Sequence, residues 1–111
     1  MREVVIVEGV RMAIGRLGGS LKSVPAEELT AVVIREVLSR TGVGPAALDE
    51  VIFGQAKQSS DQPNLARLAA LMADIPVGVP AYTVHRQCGS GLQAVHNAVQ
   101  AIRAGEAEVV L

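Results

Sequence analysis

The chain has 111 residues, enough for one domain and near the size at which a single core becomes comfortably large. Ten basic and eleven acidic side chains, scattered rather than blocked, leave a net charge of −1 and no field that would draw a nucleic acid. No apolar run approaches membrane-spanning length, and the four-residue run Val4 to Val7 is too short for the core of a signal peptide.

Val4 to Val7, apolar on both alternating faces, is expected to be a buried strand of a parallel or mixed sheet. A glycine-rich connector follows, and then helix signals appear. Pro25 suits a first helical position, Glu27 and Glu28 lie in the first turn, and Gly42 follows the last. Leu29, Val33, Ile34, Val37 and Leu38 form the apolar stripe of this helix.

The second unit repeats the scheme. Val51-Ile52-Phe53 reads as a strand ended by Gly54, and Leu65, Leu68, Leu71, Met72 and Ile75 recur at helical spacing up to a closing Pro76. A third strand is expected around Tyr82 to His85. Its helix should turn Leu92, Val95, Val99 and Ile102 inward and stop at Gly105. Val109-Val110-Leu111 begins a fourth strand. Strands alternating with helices imply an α/β fold, a β-α-β-α-β-α-β portion of a helix-covered mixed sheet. With only Tyr82 and Phe53 aromatic, its core must be built from Val, Leu, Ile and Ala. The three apolar residues at the end, with no turn or flanking element after them, suggest the front part of something longer.

Cys88 is the only cysteine, so no internal disulfide can form, which fits a reducing cytoplasm. It lies where a strand gives way to a helix, in Cys88-Gly89-Ser90-Gly91. Peptide N–H groups at a helix start have no intrahelical partner and would stabilise a thiolate, the nucleophilic form of the side chain. Gly89 and Gly91 would keep the approach to the sulfur open and permit a tight turn, and the Cys88 N–H could meet a developing oxyanion. Two other readings stand beside the nucleophile: a buried cysteine acting as a small hydrophobe, and a turn that holds an anion. The order of glycines is not that of a dinucleotide or P-loop fingerprint, and His85 and His96 show no metal spacing. His96 reads as an ordinary, partly buried histidine.

"VHRQCGSGLQAV" resembles the acyl-enzyme cysteine segment of thiolases, the acetyl-CoA acetyltransferase and 3-ketoacyl-CoA thiolase family. "EGVRMAIGRLGGSLKSVPAEEL", "DEVIFGQ", "LARLAALMADIPVGVPAYTV" and "AIRAGEAEVVL" extend the resemblance along the whole chain. It implies a thiolase-like layered fold, with residues 1–111 forming part of the thiolase N-terminal domain and the loop domain and C-terminal half absent. It also implies that Cys88 takes the acyl group of a coenzyme A thioester, which is substrate rather than cofactor, with His85, Gly89, Ser90 and Gly91 supporting the cysteine loop. The enzyme would condense two acetyl-CoA to acetoacetyl-CoA or thiolyse a 3-ketoacyl-CoA, as a cytoplasmic homodimer or homotetramer with no nucleic acid or membrane partner. The family's catalytic histidine and second cysteine fall outside these residues, so the chain alone is expected to be inactive. Two features depart from the family pattern. His85 stands where asparagine is usual, and Asp61-Gln62-Pro63-Asn64-Leu65-Ala66-Arg67 replaces a common "GQNPAR". A non-catalytic anion-binding or assembly module, and a ketoacyl-synthase-like condensing enzyme, are the alternatives.

Overall fold

A computed structural model describes residues 1–111. Its elements are helix α1 (Ala26–Thr41), strand β1 (Val51–Gly54), helix α2 (Leu65–Met72), strand β2 (Ala81–Val84) and helix α3 (Ser90–Ala104). β1 and β2 are parallel, with Val51 opposite Ala81 and Gly54 opposite Val84.

The C-terminal segment lies along the other side of β1, also parallel, through the Glu50–Val110 bridge. Successive donors on β1 alternate sides, as a central parallel strand requires: Val51 N–H reaches Pro80 O at 3.0 Å, and Ile52 N–H reaches Leu111 O at 2.7 Å. β1 is therefore the centre of the sheet. Side chains alternate likewise. Val51 and Phe53 pack into a core with α1 and α2, while Tyr82, opposite Ile52, accepts a 3.1 Å hydrogen bond at its hydroxyl from Asn97 of α3. α1 and α2 thus cover one face and α3 the other.

The α1–α2 contact is made by small residues. Ala31, Ala66, Ala69 and Ala70 are all fully buried, and Ile34 fills the space between the backbones that they bring together. α1 stops at Gly42, whose left-handed φ of 70° lets its N–H return to Leu38 O.

Four expectations need correction. Val4 to Val7 forms no strand, and Val5, Ile6 and Val7 are exposed, because no neighbouring backbone runs beside them to complete a ladder. Pro25 is the N-cap of α1 rather than its first helical residue. α2 ends at Met72, four residues before Pro76, because the chain turns at Asp74 through a φ of 62°. The inward face of α3 is the predicted one only in part: Ser90 and Ala94 are buried and Val99 and Ile102 half-buried, whereas Leu92 is 77% and Val95 47% exposed. The sheet selects small side chains here because α3 lies almost on the backbone of β1, and a leucine in that position would hold the two apart.

Candidate active site around Cys88

β2 delivers the chain to a four-residue turn, Arg86 to Gly89, that leads directly into α3. Gly89 N–H donates to Arg86 O at 2.9 Å, and Ser90 N–H donates to Gln87 O at 3.2 Å. The Ser90 hydroxyl closes the same turn twice, donating to Gln87 O at 2.7 Å and accepting from Arg86 N–H at 2.8 Å. Ser90 is buried, so both bonds are partly sheltered from water.

Cys88 is exposed at the tip of this turn. It lies one residue ahead of the α3 N-cap, Gly89, and so outside the first helical turn proper. The backbone N–H groups of Cys88, Gly91 and Leu92 have no acceptor within the chain. These are the orphan donors expected at a helix start, and they surround the sulfur in sequence. The buried-hydrophobe reading of Cys88 is therefore set aside.

The turn's conformational cost does not fall on a glycine. Gln87 carries the left-handed φ of 46°, whereas Gly89 has an ordinary φ of −88°. A side chain at Gly91 would meet nothing within 4 Å, so neither glycine is demanded by the backbone of the turn. A non-glycine residue held at positive φ beside an exposed cysteine is strain of the kind that surrounding structure has to enforce. Here the Ser90 hydroxyl enforces it.

His85 is exposed, and the hydrogen bond of its ring goes to β1's end rather than to the cysteine turn. Its Nδ1 lies 3.3 Å from Gln55 O, where the ring N–H donates to the carbonyl just past the end of β1. Gln55 Nε2 donates in turn to Gln62 Oε1 at 2.8 Å, and Gln62 Nε2 to Glu27 Oε2 at 3.0 Å, linking this rim to α1. His96 lies exposed on the outer side of α3, not partly buried, and no cluster of metal-binding side chains forms. An open groove of about 750 Å³ runs along that side of α3 from Arg86 and Gly89 past Leu92, Val95 and His96 to Gln100.

Two residues of this site escaped the sequence reading. Gly54 reads as a strand terminator, yet it is the last residue of β1 and packs against the first turn of α3. Gln87 carries no pattern of its own. An Asn or Asp there would have signalled a left-handed turn, and a glutamine does not.

The altered segment before α2 is also ordered by specific bonds. Asn64 caps α2 by accepting from Arg67 N–H at 3.2 Å, and its Nδ2 donates to Ala81 O at 3.1 Å. Thr83 Oγ1 donates to Asn64 Oδ1 at 2.8 Å and accepts from Ala66 N–H at 3.0 Å. The start of α2 is thereby fastened to β2, the strand that leads to the cysteine turn.

Comparison with known proteins agrees with this architecture. The profile described as "Thiolase, N-terminal domain" matches residues 4–111. Acetyl-CoA acetyltransferases of Pseudomonas aeruginosa and Cupriavidus necator are each 50% identical over 111 residues, covering all of this chain. The chain spans 28% of the length of those curated relatives. Among solved structures, the acetyl-CoA acetyltransferase of Bacillus anthracis superposes with a TM-score of 0.83 at 47% identity, over 86% of this chain and 24% of that one. An α/β layering with its cysteine turn between β2 and α3, and a family profile that spans all but three residues, place this chain in the thiolase family.

Proposed function

We propose that this chain is the nucleophile-bearing part of an acyl-CoA acyltransferase and that Cys88 is its acyl carrier. The observation that carries the reading is an exposed thiol at the tip of a strained, hydrogen-bonded turn, flanked by N–H groups with no partner in the chain. In this reading the Cys88 thiolate attacks the thioester carbonyl, the oxygen becomes an oxyanion near free peptide N–H groups, and coenzyme A leaves as its thiolate. The acyl group is then held as an enzyme thioester.

Transfer completes the cycle in one of two ways. The deprotonated α-carbon of a second acetyl-CoA attacks the acyl-enzyme carbonyl to give acetoacetyl-CoA; in the opposite direction the Cys88 thiolate attacks the keto carbonyl of a 3-ketoacyl-CoA, the carbon–carbon bond breaks, the departing carbanion is protonated to acetyl-CoA, and the thiolate of free coenzyme A then takes the acyl group. Either route returns the cysteine thiolate. Both need a general base, and neither histidine of this chain is hydrogen-bonded to Cys88, so in this reading turnover depends on groups outside these residues. The names of the relatives support acetyl-CoA as substrate. A cytoplasmic homo-oligomer that uses no separate cofactor completes the proposal; no helix is long and apolar enough to cross a membrane.

The test is peptide mass spectrometry after the full-length protein meets acetyl-CoA. An acetyl group is expected on the peptide containing Cys88 and should vanish in Cys88→Ser. Acetylation elsewhere, or none while the enzyme turns over, would defeat the assignment. The same unengaged N–H groups also favour a second reading, a turn that merely holds an anion. Sluggish alkylation of Cys88 by iodoacetamide at neutral pH, with binding of acetyl-CoA but no acylation, would select that reading instead.

A further inference from the structure

We propose that Gly54 and Ser90 form the seat that sets the position of the Cys88 sulfur, with Gly54 as a positioning residue for acyl transfer. This rests on the acyl-carrier reading of Cys88. Gly54 ends β1 on the face covered by α3. A Cβ built there would overlap the carbonyl carbon and oxygen of Ser90 and stand only 2.5 Å from Gly91 N. All three are backbone atoms at the start of α3, so no side chain can rotate away to make room.

No other glycine in the chain is so crowded by backbone; the nearest case, Gly19, would place a Cβ 2.9 Å from Arg16 O. Nor does Gly54 have a positive φ. Its lack of a side chain is explained by the approach of α3 and not by backbone freedom. The contact therefore fixes how deeply the helix start rests on the sheet.

From that contact the geometry passes to the thiol in two steps. Ser90, whose carbonyl touches Gly54, is the residue whose hydroxyl binds Arg86 N–H and Gln87 O. Those bonds hold Gln87 at its φ of 46°, and Cys88 is the next residue. A strand end, a helix start and a strained turn are thus coupled in series, with the sulfur at the end. Restoring ordinary contact distance at Gly54 would require a shift of about 1 Å, and a misplacement of that size in a reacting group can cost on the order of 100-fold in rate.

The experiment compares Gly54→Ala, Ser90→Ala and the control Gly44→Ala in the full-length enzyme, with folding checked by circular dichroism. Gly44 lies in the connection between α1 and β1 and has nothing within 4 Å of an added Cβ. Cys88 acetylation by acetyl-CoA is measured under single-turnover conditions across substrate concentration, beside alkylation by iodoacetamide. The expected result for Gly54→Ala and Ser90→Ala is a maximal acetylation rate lower by about 10- to 100-fold, with half-saturation and alkylation within about threefold of wild type. Gly44→Ala should match wild type.

Acetylation within threefold of wild type in folded Gly54→Ala, or equal losses of acetylation and alkylation, would overturn the proposal. If Gly54→Ala fails to fold, Ser90→Ala decides by the same criteria. If wild-type Cys88 takes no acetyl group, the acyltransferase reading fails by itself. The seat is then judged from a crystal structure of Gly54→Ala: a Cys88 displacement near 1 Å upholds it, and an unmoved turn refutes it.

Discussion

Thr83→Val isolates the polar joint between α2 and β2 while keeping the shape and strand preference of the side chain. Two bonds are lost, the 2.8 Å donation to Asn64 Oδ1 and the 3.0 Å acceptance from Ala66 N–H. Their consequences differ. Asn64 Oδ1 still accepts from Arg67 N–H, but Ala66 is fully buried and its N–H is left without a partner. An unsatisfied buried N–H costs about 1–3 kcal/mol, and the extra apolar methyl of valine offsets part of the other loss, so a net destabilisation of about 2 kcal/mol is expected. In urea this is a midpoint lower by roughly 1 M at an m-value near 2 kcal/mol/M, with the slope unchanged.

Thr83→Ser should retain most of the stability because it keeps the hydroxyl. Because Asn64 shares the network, Thr83→Val and Asn64→Ala should be non-additive by at least about 0.5 kcal/mol in a double-mutant cycle. A midpoint for Thr83→Val within about 0.3 M of wild type would refute the reasoning, since it would mean that Ala66 N–H finds water or that the joint is unimportant.

Two further outcomes follow from burial and charge. Ile34→Ala, at a fully buried site, should cost about 2–5 kcal/mol, whereas Leu92→Ala, 77% exposed, should change the stability of this chain by less than about 0.5 kcal/mol; equal losses in urea unfolding would show that α3 is turned the other way. The pH dependence has two limbs of opposite sign. Hydrogen bonds from Val109 N–H and then Glu108 N–H lower the Asp49 pKa below its ordinary 3.8, so the stability it contributes is present above that value and is lost as pH falls through the lowered one. Burial, and next the charge of Glu106, raise the Glu50 pKa above 4.5, so its contribution is present below 4.5 and is lost as pH rises through the raised value. In melting curves from about pH 2 to 7, Asp49→Asn should flatten the acid limb and Glu50→Gln the upper one. Unchanged limbs in both variants would contradict these assignments.

Several elements were legible in the amino-acid order because their causes are local. Gly42 and Gly105 stop α1 and α3 through left-handed caps, Glu27 and Glu28 occupy the first turn of α1, and the β-branched run at Val51 is a strand. The cysteine turn was legible as well, since a lone cysteine beside glycines at a strand-to-helix change is a local pattern, and the resemblance to thiolases rested on five such segments in order.

Periodicity could not decide which side of an element meets its neighbour. α3 has two faces that could pack, Leu92-Val95-Val99 and Ser90-Ala94-Asn97, and hydrophobicity favours the first. The close approach of α3 to β1 at Gly54 selects the second, because only small residues fit between a helix and a strand nearly in backbone contact. Val4 to Val7 has the composition of a strand but lacks a paired backbone, a condition set by distant chain. The sequence by itself determined the family, the order of elements from α1 onward and the nucleophile candidate. Tertiary structure alone decided that the strain falls on Gln87, that Ser90 holds it there, and that Gly54 is small for the sake of a helix starting 36 residues later, because each depends on atoms brought together from separate elements.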